Sequence, residues 1–293
     1  MRRRDFLMSS AATAFFAGLA RAQGAALSPK LDRISLMTND FSGMLPETWD
    51  RSKEVAPGGL DMMDLPQAVA DRLHLHHLEV ISINLLSIEP AYIKKFKERL
   101  DKAKSKVVNV VLELDGPEAR YRGNISAIST DPAMRAKAIE MTKQWIDIAA
   151  ALDSPSVMIN PGRGELPAPS AGIEALKTLA AYGKSKNVVI IMENRGRATP
   201  EQLVDLMKAS GTFANPDIGN FPDEEVRARG LRLMYPLART VSHVKLSPRF
   251  DFVNAIKISK EMGFKGWYSI ETDGGPDPYA GIQKIIDALL ENI

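Results

Sequence analysis

Along the chain, short runs that are almost wholly apolar alternate with longer stretches in which apolar residues return every three or four positions. An apolar run of four to eight residues bounded by Gly, Pro, Asn or Asp marks a strand covered on both faces, and the longer spacing marks a helix with one buried stripe. The pattern predicts strands over Leu31–Phe41, Leu78–Leu86, Val107–Leu114, Ser156–Asn160, Val188–Met192, Phe213–Ile218, Val241–Leu246 and Gly266–Ile270. Helices are predicted from Asp64, over Glu89–Lys104, from Asp131-Pro132 to Leu152, over Ser170–Lys186, from Thr199 to Ala209, and over Asp223–Leu237, Val253–Met262 and Pro278–Leu290. Two helix starts carry a capping signature: Asp64 with Pro66 and Gln67 behind it, and Thr199-Pro200-Glu201-Gln202. The Gly- and Pro-rich Glu47–Gly59 reads as a loop.

Eight strands in strict alternation with eight helices dictate a parallel sheet, and eight such units in about 260 residues predict a closed barrel. The expected fold class is therefore α/β, a single-domain (β/α)8 TIM barrel. The rival, an open doubly wound sheet, lacks support because no G-x-G-x-x-G or P-loop follows any strand. In a barrel the carboxyl ends of all strands meet on one face, so the polar residues there are the first place to look for chemistry.

The first residues fall outside this pattern. Arg3-Arg4-Asp5-Phe6-Leu7, a short apolar segment to Leu19 and the small-x-small Ala20-Arg21-Ala22 match a twin-arginine (Tat) signal peptide over residues 1–22, leaving residues 23–293 for the barrel. The expectation is export in the folded state to the periplasm, with no stable membrane insertion after cleavage, since the apolar segment is shorter than the ~20 residues a span requires. Removing residues 1–22 takes four Arg and one Asp from the 38 basic and 36 acidic residues, which leaves 34 against 35. Without a basic surface, nucleic acid is excluded as a partner. The absence of cysteine removes disulfides, thiolate metal sites and a Cys nucleophile together.

The last four predicted strands end in Glu193, Asp217, His243 and Glu271, within IIMEN, NPDIGN, VSHVK and YSIET. Each taken singly is an ordinary helix cap, salt-bridge partner or structural histidine. Four ligand-type residues on successive strand ends of a barrel form instead one set near its axis. Three carboxylates and one imidazole suit a hard or borderline divalent cation, Mn²⁺, Mg²⁺, Co²⁺ or Zn²⁺.

The order Glu, Asp, His, Glu, at separations of 24, 26 and 28 residues, resembles the xylose isomerase-like barrel family, which takes in sugar-phosphate isomerases, ketose 3-epimerases and endonuclease IV. The likeness runs from Leu31 to the C-terminus. It implies that the four residues bind one divalent metal, that Glu193 and Glu271 also move protons, and that Arg249, six residues after His243, binds substrate. The sequence departs from the epimerase pattern at Asn220, where Asp-x-x-His would place an imidazole, and at Thr199, where a second acidic residue would stand. It is less like endonuclease IV, whose several additional histidines and basic surface are missing.

Other polar strand ends complete the expected pocket. Asn84, Asn160 and Asn220 are candidate substrate-binding amides, and Glu113 and Asp115 end the third strand. Lys245 shares a face with His243 by alternation and is a candidate to neutralise an enediolate oxygen; an ion pair with a neighbouring acid is the alternative. Arg195 and Arg197 read as solvated or as steering an anionic group. His74, His76 and His77 fall at the amino end of the barrel, where a helix C-terminus accounts for them. Trp145, Trp267 and Tyr268 read as core or rim residues, and the sequon at Asn124 has no role in an exported bacterial protein.

Three functions follow as expectations: a metal-dependent isomerase or epimerase of a sugar or related keto-polyol, working through an enediolate; an exported lyase or hydrolase of an oxidised sugar; and a non-catalytic sugar-binding barrel. All three take a small carbohydrate as partner, and self-association into a homo-oligomer is left open.

Overall fold

The computed structural model describes residues 29–46, 59–114, 125–160, 166–196, 198–272 and 277–293. The Tat signal expected over residues 1–22, most of the Glu47–Gly59 loop, Asp115, Asn124, Pro161-Gly162 and Arg197 lie outside the described residues. Eight strands form one sheet: β1 (Ile34–Met37), β2 (His77–Ile81), β3 (Lys106–Leu112), β4 (Ser156–Ile159), β5 (Val189–Glu193), β6 (Phe213–Asn215), β7 (Val241–Val244) and β8 (Trp267–Ile270). The helices that follow them are α1 (Leu65–Leu73), α2 (Pro90–Lys102), α3 (Pro132–Ala151), α4 (Ser170–Ser185), α5 (Pro200–Ser210), α6 (Glu224–Met234), α7 (Phe252–Glu261) and α8 (Pro278–Asn292).

The strand order is β6-β5-β4-β3-β2-β1-β8-β7 with parallel ladders throughout, and β6 and β7 meet through the isolated parallel bridges Ala214–Ala238 and Asp217–His243. This is the expected (β/α)8 barrel, nearly closed. The weak seam has a chemical cause. Pro216 follows β6 directly and has no N–H to offer a ladder. One backbone bond, from the Ile218 N–H to the His243 carbonyl (3.2 Å), and two side-chain bonds complete the seam: the His243 N–H donates to Asn215 Oδ1 (3.2 Å) and the Ser242 hydroxyl to the Pro216 carbonyl (2.7 Å).

Two apolar layers hold the barrel. The larger lies between sheet and helices and joins Leu36, Val80, Val110, Ile190, Met192 and Val244 to helix residues such as Leu176, Leu179, Leu203, Met207 and Ile282. The smaller fills the barrel interior with Met37, Ile81, Val108, Val111, Met158, Ile191 and Val241. A bulge interrupts the β2–β3 ladder, where Leu78 pairs with Val107 but Glu79 with Asn109. In consequence both Val108 and Asn109 face inward, one into the inner apolar cluster and the other onto Glu79.

Several strands stop earlier than their apolar runs suggest. β1 and β2 give way at Thr38 and Ser82 to short 3-10 turns, tied together where Thr38 Oγ1 accepts the Ile81 N–H (3.0 Å) and donates to Asn84 Oδ1 (2.7 Å). The capping box at Thr199 forms in both directions, with the Gln202 N–H on Thr199 Oγ1 and the Thr199 N–H on Gln202 Oε1. The cap expected at Asp64 does not form. Its backbone is already near-helical (φ −100°, ψ −14°), so its carboxylate makes no cap bond, and Asp61 Oδ1 accepts the Met63 N–H instead. Among the described residues no helix is long and apolar enough to cross a membrane.

Two helical glycines separate crowding from backbone entropy. A Cβ on Gly183, in α4, would lie 2.5 Å from the Val188 carbonyl oxygen, whereas one on Gly281, in α8, meets nothing within 4 Å. Gly183→Ala is expected to destabilise the protein by about 1–3 kcal/mol and Gly281→Ala to stabilise it by about 0.5–1 kcal/mol. Urea unfolding of the two variants beside the parent tests the opposed signs.

Candidate metal centre

Four side chains reach one point at the carboxyl mouth of the barrel, each from a different element. Glu193 is the last residue of β5, His243 lies within β7, Asp217 follows β6 in the bridge to His243, and Glu271 follows β8 with its N–H on the Val244 carbonyl. One ligand atom from each lies within 4.8 Å of all the others. Among the described residues this is the one such group of three or more His, Asp or Glu side chains. Glu193, Asp217 and His243 are buried and Glu271 is half-buried.

The imidazole organises the cluster. His243 Nδ1 lies 3.2 Å from Glu193 Oε1 and 3.6 Å from Glu271 Oε2, while Nε2 lies 3.0 Å from Glu79 Oε1 on the far side of the ring. Glu79, on β2, is fully buried, and its contact with His243 crosses the barrel interior because β1 and β8 separate their strands in the sheet. Asn109 Nδ2 donates to Glu79 Oε1 (2.5 Å), Ser156 donates to Asn109 Oδ1 (2.7 Å), and Asn215 Nδ2 lies 2.9 Å from His243 Nε2. A hydrogen-bonded chain thus runs from β4 through β3 and β2 to His243 on β7, and Asn215 on β6 joins it through Oδ1, which accepts the His243 N–H. A histidine with one nitrogen turned to a buried carboxylate and the other to a ligand cluster has the arrangement that fixes imidazole orientation in metal sites.

Asp217 is aimed with equal care. Its N–H donates to Asn194 Oδ1 (2.7 Å) and its Oδ1 accepts the Gly219 N–H (2.7 Å), which leaves Oδ2 turned to the cluster. The Lys245 ammonium stands 2.9 Å from Asp217 Oδ2 and 2.7 Å from Glu271 Oε2, so the ion-pair alternative for this lysine is realised. Its stem crosses Gly219, where any Cβ would stand 2.6 Å from Lys245 Cδ, and only glycine leaves the path open.

The electrostatics follow from this crowding. Burial pushes the Glu193 carboxyl up, but the hydrogen bond and charge of His243, with help from Asp217 and Arg195, hold it down at about 2. Burial, then the negative Glu193 and Glu271, push Asp217 well above the carboxylate range against the pull of Lys245 and His243. Burial lowers the His243 imidazole, yet Glu79 and Glu193 outweigh it and raise the group well above its ordinary value. The crowded carboxylates therefore raise one another's affinity for positive charge, which a cation would supply. Asp217 Oδ2 and Glu271 Oε2 have the Lys245 ammonium as their partner, at 2.9 and 2.7 Å. Three carboxylates and one imidazole nitrogen, with one atom of each within 4.8 Å of the others, fit a divalent cation.

The remaining candidates divide. Asn220 Nδ2 donates to Glu193 Oε1 (3.1 Å), and Glu113 and Arg195 line the cavity of about 230 Å³ over Glu193, His243 and Glu271. Arg195 also pairs with Glu113 at 3.6 Å. Arg249, Asn220 and Arg195 line a neighbouring cavity. Asn84 lines neither; it is buried and bound to Thr38. Asn160 is half-buried at the edge of the described residues and lines neither cavity. His74 caps α1 in a left-handed conformation, His76 Nδ1 meets the Ala103 carbonyl, and His77 packs on Trp267 at the amino end. Trp145 and Tyr268 are buried core residues and Trp267 is half-buried.

Sequence reading passed over Glu79, Asn109, Asn194 and Asn215. Glu79 did leave a signal: a lone carboxylate inside the apolar run LEVI has to face a partner in the barrel.

The family model described as xylose isomerase-like TIM barrel matches residues 59–291. Among solved structures, a xylose isomerase domain protein from Planctomyces limnophilus superposes with a TM-score of 0.68 at 15% identity, covering 89% of this chain and 97% of that one. A D-allulose 3-epimerase from Methylomonas sp. gives 0.68 at 16% identity, covering 89% and 98%. A xylose isomerase-like TIM barrel protein from Mycobacterium smegmatis, in complex with magnesium, gives 0.63 at 15% identity, covering 89% and 97%. No curated protein matches the chain.

Because Glu79 and Glu193 favour the protonated imidazole of His243, a proton competes with a cation there, and Mn²⁺ affinity is expected to rise as the pH is raised. Glu79→Ala, which takes away the acceptor behind Nε2, is expected to weaken Mn²⁺ binding about 10–100-fold. Calorimetric titration of chelator-stripped protein at several pH values measures both effects.

Proposed function

The chain belongs to the xylose isomerase-like TIM barrel family, and from that premise we propose that it is a divalent-metal-dependent isomerase or epimerase of a sugar or related keto-polyol. The observation that carries this reading is the gathering of Glu193, Asp217, His243 and Glu271 within 4.8 Å at the carboxyl face of the barrel. These four residues would hold the cation, which when bound polarises adjacent carbonyl and hydroxyl oxygens and acidifies the C–H between them.

The protein's own groups carry the proton. Glu193 and Glu271 approach His243 Nδ1 from two strands, β5 and β8, and so flank the point where a substrate carbon would lie. One carboxylate removes the proton to give an enediolate, and the other returns a proton to the opposite face. Asn220, donating to Glu193 Oε1, orients that carboxylate and cannot itself titrate. The Lys245 ammonium, beside Glu271, offers positive charge to a developing enediolate oxygen. The 230 Å³ cavity above the cluster includes Met37, Ile81, Ile83, Val111 and Met158, an apolar wall against which a sugar carbon skeleton packs.

The amide at position 220 supports a second reading, lyase or hydrolase action on an oxidised sugar, because that side chain cannot act as an acid or base. Product mass separates the two, since isomerisation conserves it and hydrolysis or elimination does not. With the twin-arginine pattern over residues 1–22, the proposal places the enzyme in the periplasm, acting on sugars that arrive there.

In D2O with Mn²⁺ and a panel of ketohexoses, the enzyme is expected to wash solvent deuterium into the carbon next to the carbonyl, and chelator to abolish the exchange. Glu193→Gln and Glu271→Gln are each expected to lower turnover by about 10²–10⁴-fold with the fold retained by circular dichroism. Near-parental turnover in either variant overturns the two-carboxylate mechanism.

A further inference from the structure

Beside the cavity over the ligand cluster lies a second and larger one of about 610 Å³, formed where the loops after β5, β6 and β7 meet the first turns of α5 and α6. The two are neighbours. Arg195 lines both, and Asn220, on the wall of the larger, reaches back to Glu193 Oε1 at 3.1 Å. A molecule whose reacting carbons sit over Glu193 and Glu271 has its remainder directed past Arg195 and Asn220 into this space. A volume more than twice that of the inner cavity exceeds what a single sugar unit over the cluster would use.

The lining is chemically one-sided. Arg195, Arg229 and Arg249 all contribute to it, and among the described residues no Asp or Glu does. Arg229 commits Nε to Glu201 Oε1 (2.9 Å), and Arg249 commits one Nη2 donor to the Pro222 carbonyl (3.3 Å) while its guanidinium lies 5.1 Å from the Phe250 ring centroid. Arg229 and Arg249 keep further N–H groups with no protein partner among the described residues. Each arginine is exposed, and singly each would be an ordinary solvated side chain. Arg195 and Arg229 pair with Glu113 and Glu201, but neither acid lines this cavity, and the N–H groups that Arg229 and Arg249 leave over give its wall donors for an anion. Between the arginines the wall is apolar, with Phe221, Pro222 and Val226, a surface for the face of a ring rather than for a hydrated ion alone.

We infer that this cavity is a second substrate compartment, which selects a sugar derivative bearing an anionic group, carboxylate or phosphate, on the part of the molecule away from the reacting carbons. The inference rests on the functional reading above for where the reacting carbons lie, and it adds the class of substrate. The same arrangement gives the site two electrostatic zones: an acidic, cation-binding inner end and a basic outer end. An anionic sugar entering with its charge outward is attracted in that orientation and repelled by the Glu193–Asp217–Glu271 cluster in the reverse one.

The test is a binding comparison on Mn²⁺-loaded full-length protein, read by calorimetry and therefore independent of turnover. D-glucuronate and D-glucose 6-phosphate are titrated beside neutral D-glucose, and D-fructose 6-phosphate beside D-fructose. At least one anionic sugar is expected to bind about tenfold or more tighter than its neutral parent, with the preference shrinking as salt is raised. Arg229→Gln is expected to cut the anionic-to-neutral ratio severalfold, with the melting transition showing a folded protein. Arg249→Gln provides the second variant should the first fail to fold. Preference for the uronate over the phosphates, or the reverse, identifies the anion. Equal affinity for anionic and neutral sugars overturns the inference, as does a preference that neither arginine variant moves. A preference that persists while no sugar is turned over leaves the compartment standing and instead refutes the isomerase reading.

Discussion

The imidazole of His243 sits in a fully buried position with a carboxylate on each side, Glu79 behind it and Glu193 before it. A buried carboxylate with no partner is costly, and so is a buried imidazolium, but the three together satisfy one another only if their strands hold a single register. That requirement reaches across the barrel, from β2 to β7 to β5. It explains why the lumen of an otherwise apolar fold carries a polar chain of Ser156, Asn109, Glu79, His243 and Asn215. It also explains the bulge in β3, without which Asn109 would face the helices and leave Glu79 without its amide donor.

The same constraint bears on the one weak seam of the sheet. Between β6 and β7 the proline after Asn215 prevents a ladder, and the two strands are held by Asn215, Ser242 and the bridge from Asp217 to His243. Three of those four residues belong to the candidate centre or touch it. Closure of the barrel and assembly of the ligand cluster are therefore the same event at this point, and a cation bound by Asp217 and His243 would add to the strength of the seam.

At the mouth, the residues nearest the cluster are shared between chemistry and scaffold. Asn220 and Thr199 stand where the resemblance to ketose epimerases places an imidazole and a second acid. Here one orients Glu193 and the other closes a capping box. On the proposed reading this leaves Glu193 and Glu271 as the proton carriers and makes their positioning, by Asn220 and by Lys245, the point at which substrate chemistry is tuned. The two adjoining cavities extend the argument outward, with charge of opposite sign at the inner and outer ends of one path.

Much of this was legible in the chain, because the signals were local. Apolar runs and three-to-four spacing reported the eight units, Thr199 to Gln202 reported a cap, and Glu193, Asp217, His243 and Glu271 announced themselves by ending strands whose carboxyl ends any such barrel brings together. What only tertiary structure decided are contacts between residues with no sequence relation. Glu79 lies 164 residues from His243, Asn194 is 23 from Asp217, and the inward turn of Asn109 depends on a bulge that no periodicity encodes. The choice between a free and a paired Lys245 fell to which carboxylates the closed barrel brought within 3 Å. Periodicity fixes which face a side chain takes, whereas its partner is fixed by the curvature and closure of the sheet, and those exist only once all eight strands are in place.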